Sequence, residues 1–408
     1  MRIEFSSFYF KKEMMKTPYL IFALLFSFTL IGKTPRFEMQ TIDDEVGIGY
    51  GVQLADMNAD GKVDVLLVDK DKVAWYENPS WKKRIIVDHL TRRDHVCLTA
   101  RDLNGDGRAE LALGGEWNPA DTINSGAVFY LFPKKGQEVK WGHRPLPHEP
   151  TTHRMHWVKG PGGKYSLIVK PLHGRGNRNN AGEPLKVLAY EYPASPEKEE
   201  WASSLVFHHL HNSHNFHPVN WDDDEEEEIL ITGMEGTWYL DLNGKKWKPT
   251  LLAKPFGGEV RDGKDARGKN FVTTIEPRHG SVVACYLKRG DDWKRIQLDD
   301  SLKDGHALGT GDFLGLGHDQ IVAGWRAMRP SGAPGLKLYV AKDKTFEKWE
   351  EYKLSGKEVA VEDLKVADLD GDGKPEIVAA GRQTHNLVIF WNKSWGGDSG
   401  EGFSVPPP

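Results

Sequence analysis

Val366-Ala-Asp368-Leu-Asp370-Gly-Asp372-Gly373-Lys-Pro-Glu376-Ile-Val-Ala-Ala380 is the stretch whose reading decides the fold. Two short β-forming runs flank an acidic turn in which glycine permits a sharp bend, which reads as a hairpin and not as a helix. The pattern returns as Val52-Gln-Leu-Ala-Asp56-Met-Asn58-Ala-Asp60-Gly61-Lys-Val-Asp64-Val-Leu-Leu-Val68 and as Leu98-Thr-Ala-Arg-Asp102-Leu-Asn104-Gly-Asp106-Gly107-Arg-Ala-Glu110-Leu-Ala-Leu113. Weaker copies run from Val219-Asn220-Trp-Asp222-Asp-Asp224 to Glu228 and from Asp312 to Gln320.

Asp56 and Asp368 lie 312 positions apart, and six equal steps give a period of 52 residues, a propeller-blade spacing. Two blades have lost the acidic turn: His153 to Tyr192, turning at Gly160-Pro-Gly-Gly163, and Gly257 to Leu298, turning at Asp265-Ala-Arg-Gly268. Charged, amphipathic segments close the repeats as outer strands: Trp81 to Val87, Val139 to Leu146, Trp201 to Phe207, Trp247 to Leu252, Trp293 to Leu298 and Trp349 to Leu354. The last repeat lacks one, and Arg36-Phe-Glu-Met-Gln-Thr-Ile42 is its match at the front of the chain. The sequence therefore predicts an all-β fold, a seven-bladed β-propeller over 36–396 whose ring is closed by an N-terminal outer strand. A disordered tail is expected over 397–408.

The ends and the composition narrow the classes. Lys11, Lys12 and Lys16 precede the apolar run Tyr19 to Ile31, so residues 1–35 read as a signal peptide or an N-terminal anchor. The run is short for a stable membrane span, and a secreted or periplasmic location is expected. A net charge of −5 over 408 residues argues against a nucleic-acid partner. Cys97 and Cys285 read as buried free thiols.

The acidic turns place oxygen ligands at alternate positions, the logic of a hard-cation loop for structural Ca²⁺ or Mg²⁺. The candidate ligands are Asp56, Asn58, Asp60 and Asp64; Asp102, Asn104, Asp106 and Glu110; and Asp368, Asp370, Asp372 and Glu376. The competing reading has these side chains hydrogen-bonding their own tight turn. In up-and-down blades these turns share one face, so the loops entering each first strand share the other. Those loops carry His95, His153 with His156, His214 with His217, and His306; beside them stand Glu116-Trp117, Arg278-His279 and Trp325-Arg326. Imidazoles at matching ring positions predict a Zn²⁺-like site held by His95, His153, His214 and His306. Glu116, Trp117, Trp325 and His156 are the candidate contacts to a sugar or polysaccharide ligand.

The turns resemble FG-GAP/VCBS repeats. Further segments, Ile275-Glu-Pro-Arg-His279-Gly, Asp304-Gly-His306-Ala-Leu, Ile321-Val-Ala-Gly-Trp325-Arg326, His95-Val-Cys-Leu-Thr-Ala-Arg-Asp102 and Gly114-Gly-Glu-Trp117-Asn, resemble the propeller domain of aldos-2-ulose dehydratases. That resemblance implies a metal-assisted dehydration, by β-elimination, of a keto-sugar such as 1,5-anhydrofructose. His217 or His279 would then act as base, and Arg326 or Arg278 would orient hydroxyls. The 408 residues leave no room for the family's cupin-type isomerase portion, so isomerase activity is not expected. A polysaccharide lyase, and a non-catalytic propeller binding carbohydrate or protein, are the other readings.

Overall fold

The computed structural model of the protein describes residues 34–134, 137–244, 246–327 and 332–394; the targeting segment and the tail read from the sequence fall almost entirely outside them. The described residues form seven four-stranded antiparallel sheets. No described helix is long and apolar enough to cross a membrane. The innermost strands are Gly51–Ala55, Cys97–Arg101, Thr152–Lys159, Phe216–Val219, Glu259–Lys264, Gly305–Gly311 and Val361–Ala367. Each packs beside the next, and the seventh returns to the first, so the ring is closed.

Hydrophobic pattern dictates the layering within each blade. The second strands, such as Asp64–Val68, Glu376–Gly381 and Gln320–Trp325, are buried along their whole length because blades pack on both faces. They read as continuous apolar runs for that reason, without the alternation of a sheet that has one wet face. The outer strands, such as Asp292–Asp299 and Trp349–Ser355, alternate between exposed and partly covered residues. Six apolar clusters fill the body of the ring. Phe37–Asp43 pairs antiparallel with Asn386–Asn392, which completes the seventh blade as the sequence predicts.

The acidic turns repeat one hydrogen-bond scheme. Asp56 accepts from the N–H groups of Ala59 and Gly61, both at 2.7 Å; Asp102 accepts from Gly105 at 2.8 Å and Gly107 at 2.9 Å; Asp368 accepts from Gly371 at 2.8 Å and Gly373 at 2.9 Å. Both glycines of the last turn have positive φ, 76° and 83°, a backbone region that side chains with a Cβ rarely adopt. The closing acid then ties the turn's second residue: Asp64 accepts from Met57 at 3.0 Å, while Glu110 from Leu103 and Glu376 from Leu369 do so at 2.8 Å. Asn58 and Asp60 likewise bond their own turn, as do Asn104, Asp106, Asp370 and Asp372. Asp64, read from sequence as a cation ligand, is fully buried, with its second oxygen taken by the Asn78 N–H at 2.8 Å. It therefore serves the hairpin.

A polar tie joins the fifth and sixth blades. Asp299 accepts from the Lys337 ammonium and the Tyr339 hydroxyl, each at 2.7 Å. Burial alone would raise its pKa, but these two donors and Ser301 outweigh that and hold it at about 2. A depressed carboxylate contributes stability that is complete above its unfolded value near 4 and lost as pH falls through 2, here about 2 kcal/mol. Asp299→Asn should therefore lower stability at pH 7 and leave little difference from wild type near pH 2. Urea unfolding at the two pH values checks this.

Candidate functional site

Three innermost strands slip register by one residue against their second strands, and the extra residue falls at His153, His306 and Glu362. Such a bulge re-aims a side chain and ends regular pairing. His214 stands at the equivalent place, ahead of the Phe216–Val219 strand. The result is a compact imidazole group: ring centroids of His214 lie 4.7 Å from His153, 4.6 Å from His279 and 4.6 Å from His306. His279 and His306 are 4.8 Å apart. The candidate ligand atoms of His214, His279 and His306 all lie within 4.8 Å of one another.

Hydrogen bonding fixes the protons. His214 donates from Nδ1 to the Glu259 carboxylate at 2.7 Å, and His153 donates from Nδ1 to the His214 carbonyl at 2.9 Å. His306 donates from Nδ1 to the Glu362 carbonyl. In all three, the neutral ring keeps its lone pair on Nε2, the arrangement of a histidine held ready for a metal. His279 is reversed. Its Nδ1 lies 3.2 Å from Arg326 Nη2, which only donates, so the ring proton sits on Nε2. That Nε2 is buried with no partner.

Burial drives every one of these imidazoles towards the neutral form, followed by neighbouring cations at His153, His279 and His306 and by the other imidazoles at His214. His153, His214 and His306 are pushed well below the usual histidine value. Burial and then Arg326 bring His279 to about 2. Because burial holds His214 neutral, its contact with Glu259 is an uncharged N–H donating to the carboxyl group rather than an ion pair. Arg326 is held by Asp304 at 3.0 and 3.1 Å and by Glu362 at 2.9 Å, and Arg382 takes the other Glu362 oxygen at 2.9 Å. Arg278 reaches the Asn212 side chain at 3.1 Å. Trp117 lies against His153 with centroids 5.0 Å apart.

Several sequence assignments need correction. His95 makes none of these ring contacts; Val96 occupies its ring position, and His95 is buried with both ring nitrogens unpaired. His217 and His156 do not stand beside the imidazole group. Each lies three residues further along an inner strand than His214 or His153, about 10 Å down the axis at the rise of an extended chain. His217 there pairs with Asp262 at 3.2 Å, and His156 packs on Phe216 with centroids 4.8 Å apart. Trp325 belongs to an apolar cluster and donates its indole N–H to the Ala333 carbonyl at 2.8 Å, so it is no sugar platform. Glu116 accepts the Arg92 N–H at 2.8 Å. His279 carries its proton on the inward nitrogen and cannot be the base in its neutral form. Sequence reasoning missed Glu259, although it stands six positions ahead of Asp265, as His214 does ahead of Asn220.

On the opposite face, two acidic turns bring three carboxylates within 4.8 Å: Asp222, Asp224 and Glu228, and Asp368, Asp370 and Glu376. Burial, then crowding by the other acids, pushes Glu228 and Glu376 each up to about 7.

Fold and site define a seven-bladed β-propeller with an FG-GAP-like repeat matched over residues 56–113. No curated protein matches the sequence. Among solved structures, a chain from the complex of BBS1N with ARL6DN is 14% identical, covering 87% of this chain and 95% of its own, with a TM-score of 0.52. A structure described as recognition of non-reducing terminal N-acetylglucosamine by an Agrocybe aegerita lectin is 12% identical, covering 74% and 79%, with a TM-score of 0.43. At these identities the likeness is one of fold.

Arg326→Ala would take from Asp304 and the buried Glu362 the cation they share, leaving Glu362 with Arg382 alone, a loss of roughly 3 kcal/mol. Arg278→Ala gives up one bond to an amide and should cost about 1 kcal/mol. Paired denaturant melts of the two variants check this ranking.

Proposed function

We propose that the chain is a carbohydrate-active lyase that dehydrates a keto-sugar such as 1,5-anhydrofructose by β-elimination at the axial imidazole group. The observation that carries this reading is the shared tautomer of His153, His214 and His306, three lone pairs fixed on Nε2 by acceptors at Nδ1. For His214 and His306 the geometry adds to this, since their candidate ligand atoms lie within 4.8 Å of one another and of His279. A Zn²⁺-like ion fits the donor set, since neutral imidazole is its preferred nitrogen ligand. His214 and His306 meet both the distance and the tautomer criteria, so they are the first two ligands. When bound, such an ion supplies Lewis-acid polarisation of the substrate carbonyl.

The chain's own groups then divide the work. Nε2 of His153 takes the proton α to the carbonyl as the carbon–carbon double bond forms. The β carbon–oxygen bond breaks, and the same proton returns to the departing hydroxyl, so one water is lost overall. Nε2–H of His279 donates to an oxygen of the bound sugar, and burial keeps that ring neutral at all working pH values. Arg278 and Trp117 border the group and orient the ring hydroxyls and the apolar ring face. The propeller is carried to the cell exterior by the N-terminal segment, consistent with a sugar encountered outside the cytoplasm.

Metal analysis of dialysed protein and an assay on 1,5-anhydrofructose and on acidic polysaccharides test this together. Wild type should retain about one Zn²⁺-like ion per chain and release an unsaturated product. His214→Ala combined with His306→Ala should lose the metal and reduce turnover by at least ~10³-fold. Full activity in that double variant sinks the assignment, and metal binding without turnover on any sugar leaves a binding propeller.

The acidic turns of the fourth and seventh blades are proposed to hold Ca²⁺ or Mg²⁺ as structural ions. Their three convergent carboxylates suit a hard cation better than water alone, as the crowding at Glu228 and Glu376 indicates. Ca²⁺ at a hundredfold excess over its dissociation constant should add about 3 kcal/mol per site to stability. Glu376→Gln should remove one site's share, as read by melting with and without chelator.

A further inference from the structure

Below the imidazole group the axis is lined by cations that the elimination does not use. A cavity of about 280 Å³ lies towards the acidic-turn rim, bounded by Gln53, His156, His217, Arg261, Lys365 and the Arg101–Glu227 pair. A narrower pocket above it shares Gln53, His156, Arg261 and Lys365 and adds Arg154 and Asp363. Two guanidiniums here lack carboxylate partners among the described residues. Arg261, only 8% exposed, bonds the Val260 carbonyl at 2.6 Å; Arg154 bonds the His153 carbonyl at 3.1 Å. Lys365 pairs with Asp363 at 3.1 Å, and Asp363 also accepts the Val52 N–H at 2.8 Å. Glu259 is spent on His214 and Asn215. Three cations, Arg154, Arg261 and Lys365, thus line this space; the carboxylates near it are committed, Glu259 to His214 and Asn215, Asp363 to Lys365 and the Val52 N–H, and Asp262 to His217, so neither guanidinium has a carboxylate of its own.

Isolated buried charge is costly and is found where a counter-ion completes it. Gln53, His156 and His217 supply further polar edges, and the guanidinium fork matches a planar or tetrahedral oxyanion. We propose that this cavity is an anion-binding site, taking one oxyanion group: a free inorganic oxyanion or the carboxylate of an acidic sugar no larger than a single ring. The site is separate from the imidazole group and does not depend on a metal there. Arg154 links the two, since its guanidinium lies 3.5 Å from His153 Nε2.

The test is thermal melting and calorimetric titration of the full chain with phosphate, glucuronate and, as the uncharged control, glucose. Phosphate, glucuronate or both should raise the melting temperature saturably, and glucose should not. A response to both, or to phosphate alone, marks a free-oxyanion site; a response to glucuronate alone marks an acidic-sugar site. Arg261→Gln should weaken the anion at least tenfold and, having removed an unpaired buried charge, melt at or above wild type in anion-free buffer. Arg154→Gln should weaken it in the same direction if Arg261→Gln does not fold. No response to either anion, an equal response to glucose, or an undiminished response in both variants overturns the proposal.

Discussion

Phe37–Asp43 hydrogen-bonded along Asn386–Asn392 joins parts of the chain some 350 residues apart, and the radius of the ring follows from that pairing. Side chains lock it on both sides. Asp43 receives the Tyr76 hydroxyl and the Lys83 ammonium, the latter at 2.6 Å, while Asn392 reaches the Phe313 carbonyl at 2.9 Å. Trp81 and Trp391 meet with centroids 6.2 Å apart. Open the ring, and the inner strands are free to spread. Histidines whose rings are less than 5 Å apart only because the third to sixth blades converge would then separate. The site is a product of closure before it is a product of any single blade.

Closure also explains which parts were legible in the sequence. The acidic turn is a local device: its oxygen acceptors, positive-φ glycines and closing acid must sit at fixed spacings, so each intact copy announces itself. Outer strands are legible for the same reason, as each carries its own amphipathic alternation. The third and fifth blades lost the acids but kept a Gly-bearing bend, and only the period locates them. Which imidazole faces which depends on bulges at His153, His306 and Glu362, and pairing register leaves no mark on composition. His95 reads as a ring position because one residue of offset looks negligible in a sequence; in a strand it sends the side chain to the other face. His156 and His217 read as neighbours of His153 and His214 because three residues look close, whereas an extended chain carries them about 10 Å along the channel. Trp325 illustrates the other difficulty, since a tryptophan beside an arginine reads the same whether it is core or platform.

The tautomers bear on what the cluster does. Four imidazoles packed without solvent would repel if charged, and burial keeps them neutral, as do Arg326, Arg278 and Arg154 nearby. Neutral rings must then share protons sensibly, and three of them have Nδ1 acceptors supplied by the scaffold: one carboxylate and two backbone carbonyls. The fourth, His279, is turned round by Arg326. A site that sets two acceptor nitrogens, on His214 and His306, beside one donor, on His279, is asymmetric, and asymmetry of that kind suits a ligand that has both a cation-like and an oxygen-bearing part.

The axis as a whole carries more buried charge than stability alone would select. Apolar clusters between the blades suffice to hold the ring, and replacing buried ions with packed hydrocarbon is often neutral or favourable. Glu259, Asp363, Lys365, Arg154 and Arg261 instead occupy successive levels of the channel, each fixed by a backbone group or a neighbouring side chain. Lys170 extends the series: it is fully buried and bonded to the Pro171 and Ser213 carbonyls, and burial drives its ammonium well below the usual lysine value. A polar column of this length costs desolvation at every level. Its concentration along the inner strands, where the blades converge, is the physical reason for placing both ligand sites on the axis, and not on the rims where the sequence is richest in exposed charge.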